Sequence, residues 1–87
     1  MKALSLFANV GLAETYLNEL GIDVIIANEL DNERARFYSH LYPNCNMISG
    51  DITDPNVLYK VLNESKNADI DIIIATPLSR YEHCRAQ

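Results

Sequence analysis

Short apolar runs alternate with helix-patterned segments from Ala3 to Pro77, and this alternation constrains the fold more than any other feature. The apolar runs are "ALSLFA" (3–8), "IDVIIAN" (22–28), "NMIS" (46–49) and "ADIDIIIATP" (68–77). They are the length of strands, and the second and fourth are rich in β-branched residues, as strands buried on both faces are. Between them, "GLAETYLNEL" (11–20) predicts a helix with Leu12, Ala13, Tyr16, Leu17 and Leu20 on its inner face, stopped by Gly21. "DNERARFYSHLY" (31–42) predicts a second, capped by Asp31 and ended by Pro43, with Ala35, Tyr38, Leu41 and Tyr42 inward. A third starts with Asp54 as cap and Pro55 in the first turn, with Val57, Leu58, Val61 and Leu62 inward. Four strands alternating with three helices predict an α/β fold, a three-layer Rossmann-like parallel sheet with right-handed crossovers.

Eighty-seven residues, 48% of them apolar, suit one small domain. No apolar run is long enough to span a bilayer, so no membrane partner is expected. Met1-Lys2 runs straight into strand-like sequence without a signal-peptide pattern. Two cysteines give no disulfide framework, so the cytoplasm is the expected setting. A net charge of −5 argues against gripping nucleic acid through phosphates, which needs clustered Lys and Arg. A small molecule or a partner protein fits better.

In parallel sheets, ligands bind beyond the carboxyl ends of the strands. Those ends are Phe7–Gly11, Asn28–Leu30, Gly50–Ile52 and Thr76–Pro77. The loop "FANVGLAE" leads from strand to helix and points backbone N–H groups outward, but it carries a single glycine, Gly11. By itself it reads as an ordinary turn. Glu29, 18 residues after Gly11, ends the second strand, where an acid can accept hydrogen bonds from both ribose hydroxyls of a nucleoside. Loop and acid together favour nucleoside binding. Gly50 permits close approach, Asp51 can accept from an adenine amine, and Ile52 can pack on the ring. Asp51 can equally close the turn before the third helix. "EHC" (82–84) is too sparse for a metal site, so no metal is expected. His40 reads as a surface residue and Cys45 as a small packed hydrophobe.

These strand ends, in this order, resemble the amino-terminal part of the DNA cytosine-5 methyltransferases. "LSLFANVGLAE" looks like their first motif, with Asn9 and Leu12 where glycines are usual. "ANELDNERARFYSHLYPN" is similar to the second motif, "GDIT" to the third, and "DIDIIIATP" to the strand leading to the Pro-Pro-Cys-Gln motif. The resemblance covers residues 3–77. It implies a sheet order third-second-first-fourth and a cofactor, S-adenosylmethionine. Its contacts would be Phe7, Ala8, Asn9, Val10, Gly11, Glu29, Asp51, Ile52 and Pro77. In that family, the cysteine after Pro-Pro attacks a flipped-out cytosine. Here Leu78 follows Pro77, so no catalytic residue is expected.

The last ten residues, Leu78–Gln87, match nothing before them. They can be encoded as CTG TCA AGG TAT GAG CAC TGC CGG GCG CAA. Read one base later, that string gives Cys-Gln-Gly-Met-Ser-Thr-Ala-Gly-Arg, which resembles the missing motif. The expectation is a partial cofactor-binding domain over 1–77 and an out-of-frame tail over 78–87. Such a chain is expected to be inactive alone, to bind S-adenosylmethionine weakly and to leave DNA to the full-length family enzyme. It is also expected to form a homo-oligomer through the exposed edge of its fourth strand. Two other readings remain: a subunit of a split methyltransferase, and a non-catalytic nucleoside-binding module.

Overall fold

The computed structural model describes residues 1–9, 11 and 13–75. Strand β1 (Lys2–Leu6) is followed by helix α1 (Glu14–Glu19), β2 (Asp23–Glu29), α2 (Asn32–Leu41), β3 (Asn46–Ser49), α3 (Pro55–Asn67) and β4 (Ile72–Ala75). The four strands form one sheet in the order β3-β2-β1-β4, and every pairing is parallel. Fold class and strand order are those expected.

Alternation along the strands sends side chains to two faces. On one face Leu4, Ile26 and Ile48 meet Val61 of α3 in a core that Val57, Ile52 and Leu6 extend. On the other, Ala8 and Ala27 leave room for the ring of Tyr38 from α2, which is completely buried, with Tyr42, Cys45 and Met47 beside it. Cys45 thus packs as a small hydrophobe, and His40 is exposed.

Two helix starts follow their sequence signals. Asp31 accepts hydrogen bonds from the backbone N–H groups of Glu33 (2.9 Å) and Arg34 (3.1 Å). Asp54 accepts from Asn56 (2.9 Å), with Pro55 in the first turn.

Other expectations need correction. α1 spans six residues rather than ten and has no side-chain cap. Tyr16 and Leu20, expected inward, are 71% and 75% exposed. Leu41, Leu58 and Leu62 are also exposed. The apolar stripes are wider than the strips of sheet they cover among the described residues: α2 buries Ala35 and Tyr38, α3 buries Val61, and α1 buries Glu14 at its start. β4 starts at Ile72 rather than at residue 68. Asp69 adopts a left-handed backbone (φ 56°) in the turn after α3. Asp71 then ties the strand's start to β1: its carboxylate accepts from the Lys2 backbone N–H (2.9 Å), and its own N–H donates to the Lys2 carbonyl (2.8 Å).

Candidate functional site

The loop after β1 is held at its start by a hydrogen bond from the Ala8 N–H to the Asn28 carbonyl (3.0 Å), which continues the ladder past the strand. The Gly11 N–H then closes a turn onto the Ala8 carbonyl (3.0 Å). Three residues here have left-handed backbone: Phe7 (φ 56°), Asn9 (φ 57°) and Gly11 (φ 79°). Asn takes this conformation more readily than most residues. The same conformation in a bulky residue such as Phe7 is strained, a condition that concentrates at functional sites.

Glu29 closes the loop from the neighbouring strand. One carboxylate oxygen accepts from the Asn9 N–H (2.7 Å) and the other from the Asp31 N–H (2.9 Å). The residue is 6% exposed. A carboxylate offers about four acceptor positions, so two remain after these bonds. The acid therefore organises the first two loops and has acceptor positions to spare.

The end of β3 is joined to the same place. The Asn28 side-chain amide donates to the carbonyls of Ile48 (2.8 Å) and Gly50 (3.1 Å), and the Gly50 N–H donates to the Glu29 carbonyl (3.0 Å). Gly50 has φ 137°, and a Cβ there would lie 2.8 Å from Val57. Asp51 closes a turn, its Oδ1 accepting from the N–H (2.9 Å) and the hydroxyl (2.7 Å) of Thr53. That is the turn-closing role weighed beside its ligand role, while Asp54 separately caps α3. Ile52 is half-buried against the α3-side core.

Thus Ala8, Asn9, Gly11, Asp51 and Ile52 lie on strand-end loops and Glu29 ends β2, and direct bonds tie the first loop to Glu29 and Glu29 to Gly50. Phe7 begins the first of these loops. Val10, Pro77, the tail Leu78–Gln87 and the Glu82-His83-Cys84 stretch lie outside the described residues. Among the described residues, no group of three acidic, His or Cys side chains is placed to hold a metal ion.

Sequence reading missed four residues that build this region. Asn28 was a strand residue without a role, although an amide closing a β-branched run is a detectable oddity. Tyr42 donates its hydroxyl to the Gly11 carbonyl (2.7 Å) and lies 3.2 Å from the Thr15 hydroxyl. Tyr38 packs beside it, ring centroids 4.9 Å apart. Their spacing of four on α2 marked an inner face but not a contact with the first loop. Glu14 is 6% exposed. Burial raises its carboxyl pKa, and a hydrogen bond with the Tyr38 hydroxyl offsets part of the rise. Burial likewise raises the Tyr38 phenol and, against an opposing hydrogen bond from Tyr38, the Cys45 thiol.

A parallel α/β sheet in the order β3-β2-β1-β4, with helices on both faces, places the chain in the class of Rossmann-like α/β folds. Within that class the chain belongs to the C-5 cytosine-specific DNA methylases, whose family pattern matches residues 1–77. It is 46% identical over 74 residues to a type II methyltransferase, M1.HgaI, of Avibacterium volantium. The match takes in 85% of this chain but 21% of that relative, so the chain spans about one fifth of the relative's length. No solved structure gave a significant match.

Proposed function

We propose that this chain forms the S-adenosylmethionine-binding segment of a DNA cytosine-5 methyltransferase and that the 87 residues by themselves do not methylate DNA. The observation that carries the cofactor reading is Glu29, which joins the first two loops and keeps lone pairs for a ribose. The residues present fit such a ligand. The Asn9–Gly11 turn borders the position for its amino-acid part, Glu29 takes the ribose hydroxyls, and Gly50 with Ile52 supplies an open approach and an apolar wall for the base. Bound there, the cofactor would supply the methyl group. What this chain contributes is orientation, through backbone and carboxylate groups on three adjacent strand ends. The proposal of inactivity is supported by the absence of any Pro-Cys pair in the sequence.

Calorimetric titration of the 87-residue chain with S-adenosylmethionine tests this reading. Saturable binding that S-adenosylhomocysteine competes away is expected, and NAD or ATP should bind less tightly. Preference for NAD or ATP would shift the reading to a generic nucleoside-binding module. The gene's nucleotide sequence tests the proposed out-of-frame origin of Leu78–Gln87, since codons hiding no Cys-Gln-Gly frame would end it. DNA remains a proposed partner of a longer methyltransferase only. The cytoplasm is the proposed location. Among the described residues, no helix is long and apolar enough to cross a membrane.

Self-association is also proposed. β4 pairs with β1 on one side and is the outermost strand of the described sheet. It is Ile-Ile-Ile-Ala, with Ile73 62% exposed, whereas the opposite edge strand, β3, carries Asn46 and Ser49. Unprotected β-branched edges pair with other chains. Light scattering behind a sizing column should give at least a dimer, and Ile73→Lys should shift the chain toward monomer. A wild-type monomer at micromolar concentration would overturn the proposal.

A further inference from the structure

A groove of about 520 Å³ lies between α1 and α2. It reaches Ile22, Asp23 and Val24 at the start of β2, whereas the proposed cofactor acid, Glu29, ends that strand. At about 3.3 Å per residue, the two ends of β2 are roughly 20 Å apart, so the groove extends well away from the strand-end site.

Its chemistry is one-sided. Two carboxyl groups line it, Glu14 and Asp23, and the described lining holds no Lys, Arg or His. Ile22, Val24 and Leu41 give it apolar walls, and Tyr42 places an aromatic ring and a hydroxyl in the same lining. Glu14 is buried; its carboxyl meets the Tyr38 hydroxyl, which also lines the groove, but its Oε2 has no hydrogen-bond partner. Buried carboxyl oxygens normally have one. The missing partner is a donor, and the surrounding charge selects a cationic one.

We propose that this groove binds an organic cation, an alkylguanidinium or alkylammonium group, which pairs with Glu14 and lays its apolar stem along Ile22, Val24 and Leu41. A guanidinium suits the site best, because it pairs with a carboxyl through two parallel bonds and stacks on aromatic faces. Methylene stems of basic groups pack on apolar surface while the charged head finds its partner. A cation beside Glu14 also restores the ionised carboxylate that burial disfavours. The chemistry has two sources, an arginine side chain of a polypeptide segment or a free small cation. The groove adjoins the first loop, since its Tyr42 holds the Gly11 carbonyl (2.7 Å), but the cation reading is carried by Glu14 and the groove lining and stands whether or not the cofactor reading holds.

The experiment is an NMR titration of the full 87-residue chain with butylguanidinium, using neutral butylurea as the shape-matched control. Saturable shifts at Glu14, Leu41 and Tyr42 are expected with the cation, together with intermolecular NOEs from the butyl chain to Leu41. Butylurea should give none. Glu14→Gln should weaken cation binding at least about tenfold, the range for losing a charge-assisted bond. The NOEs in the wild-type chain decide the matter even if that variant folds poorly. A parallel titration with acetyl-Leu-Arg-Leu-amide distinguishes the sources: tighter binding than butylguanidinium assigns the groove to a polypeptide, and equal binding assigns it to a free cation. Absence of NOEs, equal binding of butylurea, or an unchanged affinity in folded Glu14→Gln overturns the proposal.

Discussion

Replacing Glu29 with alanine should damage stability and cofactor affinity together. Two backbone N–H groups, those of Asn9 and Asp31, lose the carboxylate oxygens they reach at 2.7 and 2.9 Å. A fully buried donor left unpaired costs about 1–3 kcal/mol; Asn9 is half-buried and Asp31 exposed, so water can replace part of what each loses. The whole stability of a small domain is about 5–15 kcal/mol, so the variant should lose a measurable share of it. The affinity loss from the ribose contact should be about 1.5–3 kcal/mol, the range for a hydrogen bond to a charged group. Glu29→Gln separates the two effects. It keeps one acceptor oxygen and replaces the other with a donor, so it should retain about half of the structural contribution while losing most of the ribose contact. Urea denaturation and calorimetric titration of all three proteins give the measurement. Wild-type stability in Glu29→Ala would show that the two loops are held by something else, and wild-type affinity would remove Glu29 from the cofactor site.

Gly11→Ala is the second large effect. The position has φ 79°, and a Cβ there would lie 2.6 Å from Tyr42 Cε2 and 2.8 Å from two carbons of Tyr38. A left-handed non-glycine residue costs about 1–2 kcal/mol, and forcing extra volume into a packed site about 1–3 kcal/mol more. Tyr38 is fully buried in the core beside Ala8 and Ala27. The expected loss is therefore about 2–5 kcal/mol. Gly21 supplies the control. Its φ is 81°, but no atom lies within 4 Å of the place its Cβ would take, so Gly21→Ala should cost the backbone part alone. In a Tyr42→Ala background, the Gly11→Ala penalty should shrink, because residues in contact do not act additively. Equal denaturation midpoints for Gly11→Ala and Gly21→Ala would show that the tyrosine contact carries no weight.

Much of the fold was legible because its signals are local. Strand-length β-branched runs, Asp31 and Asp54 before helical patterns, and Pro55 in a first turn act through neighbouring residues, and the structure uses them as read. Glu29 was legible for a related reason: an acid ending the second strand of a parallel sheet has few other places to be. The limits of α1 and β4 were not legible. Ala13 supplies no cap hydrogen bond, so nothing local marks where α1 begins. The start of β4 depends on Asp71 meeting Lys2, 69 positions earlier in the chain.

By itself, the sequence determined the order of elements, the parallel sheet they imply and the strand-end position of the acid. Periodicity, capping and strand propensity are properties of consecutive residues. Tertiary structure alone decided what those residues touch. Tyr42 reaches the Gly11 carbonyl across 31 positions, Asn28 bridges to Ile48 and Gly50, and Glu29 spends two of its acceptor positions on the backbone of two loops. It also left Tyr16 and Leu20 exposed although the helical pattern placed them inward. Amphipathic spacing specifies a direction around a helix, and only the packed neighbours decide whether anything lies there to cover it.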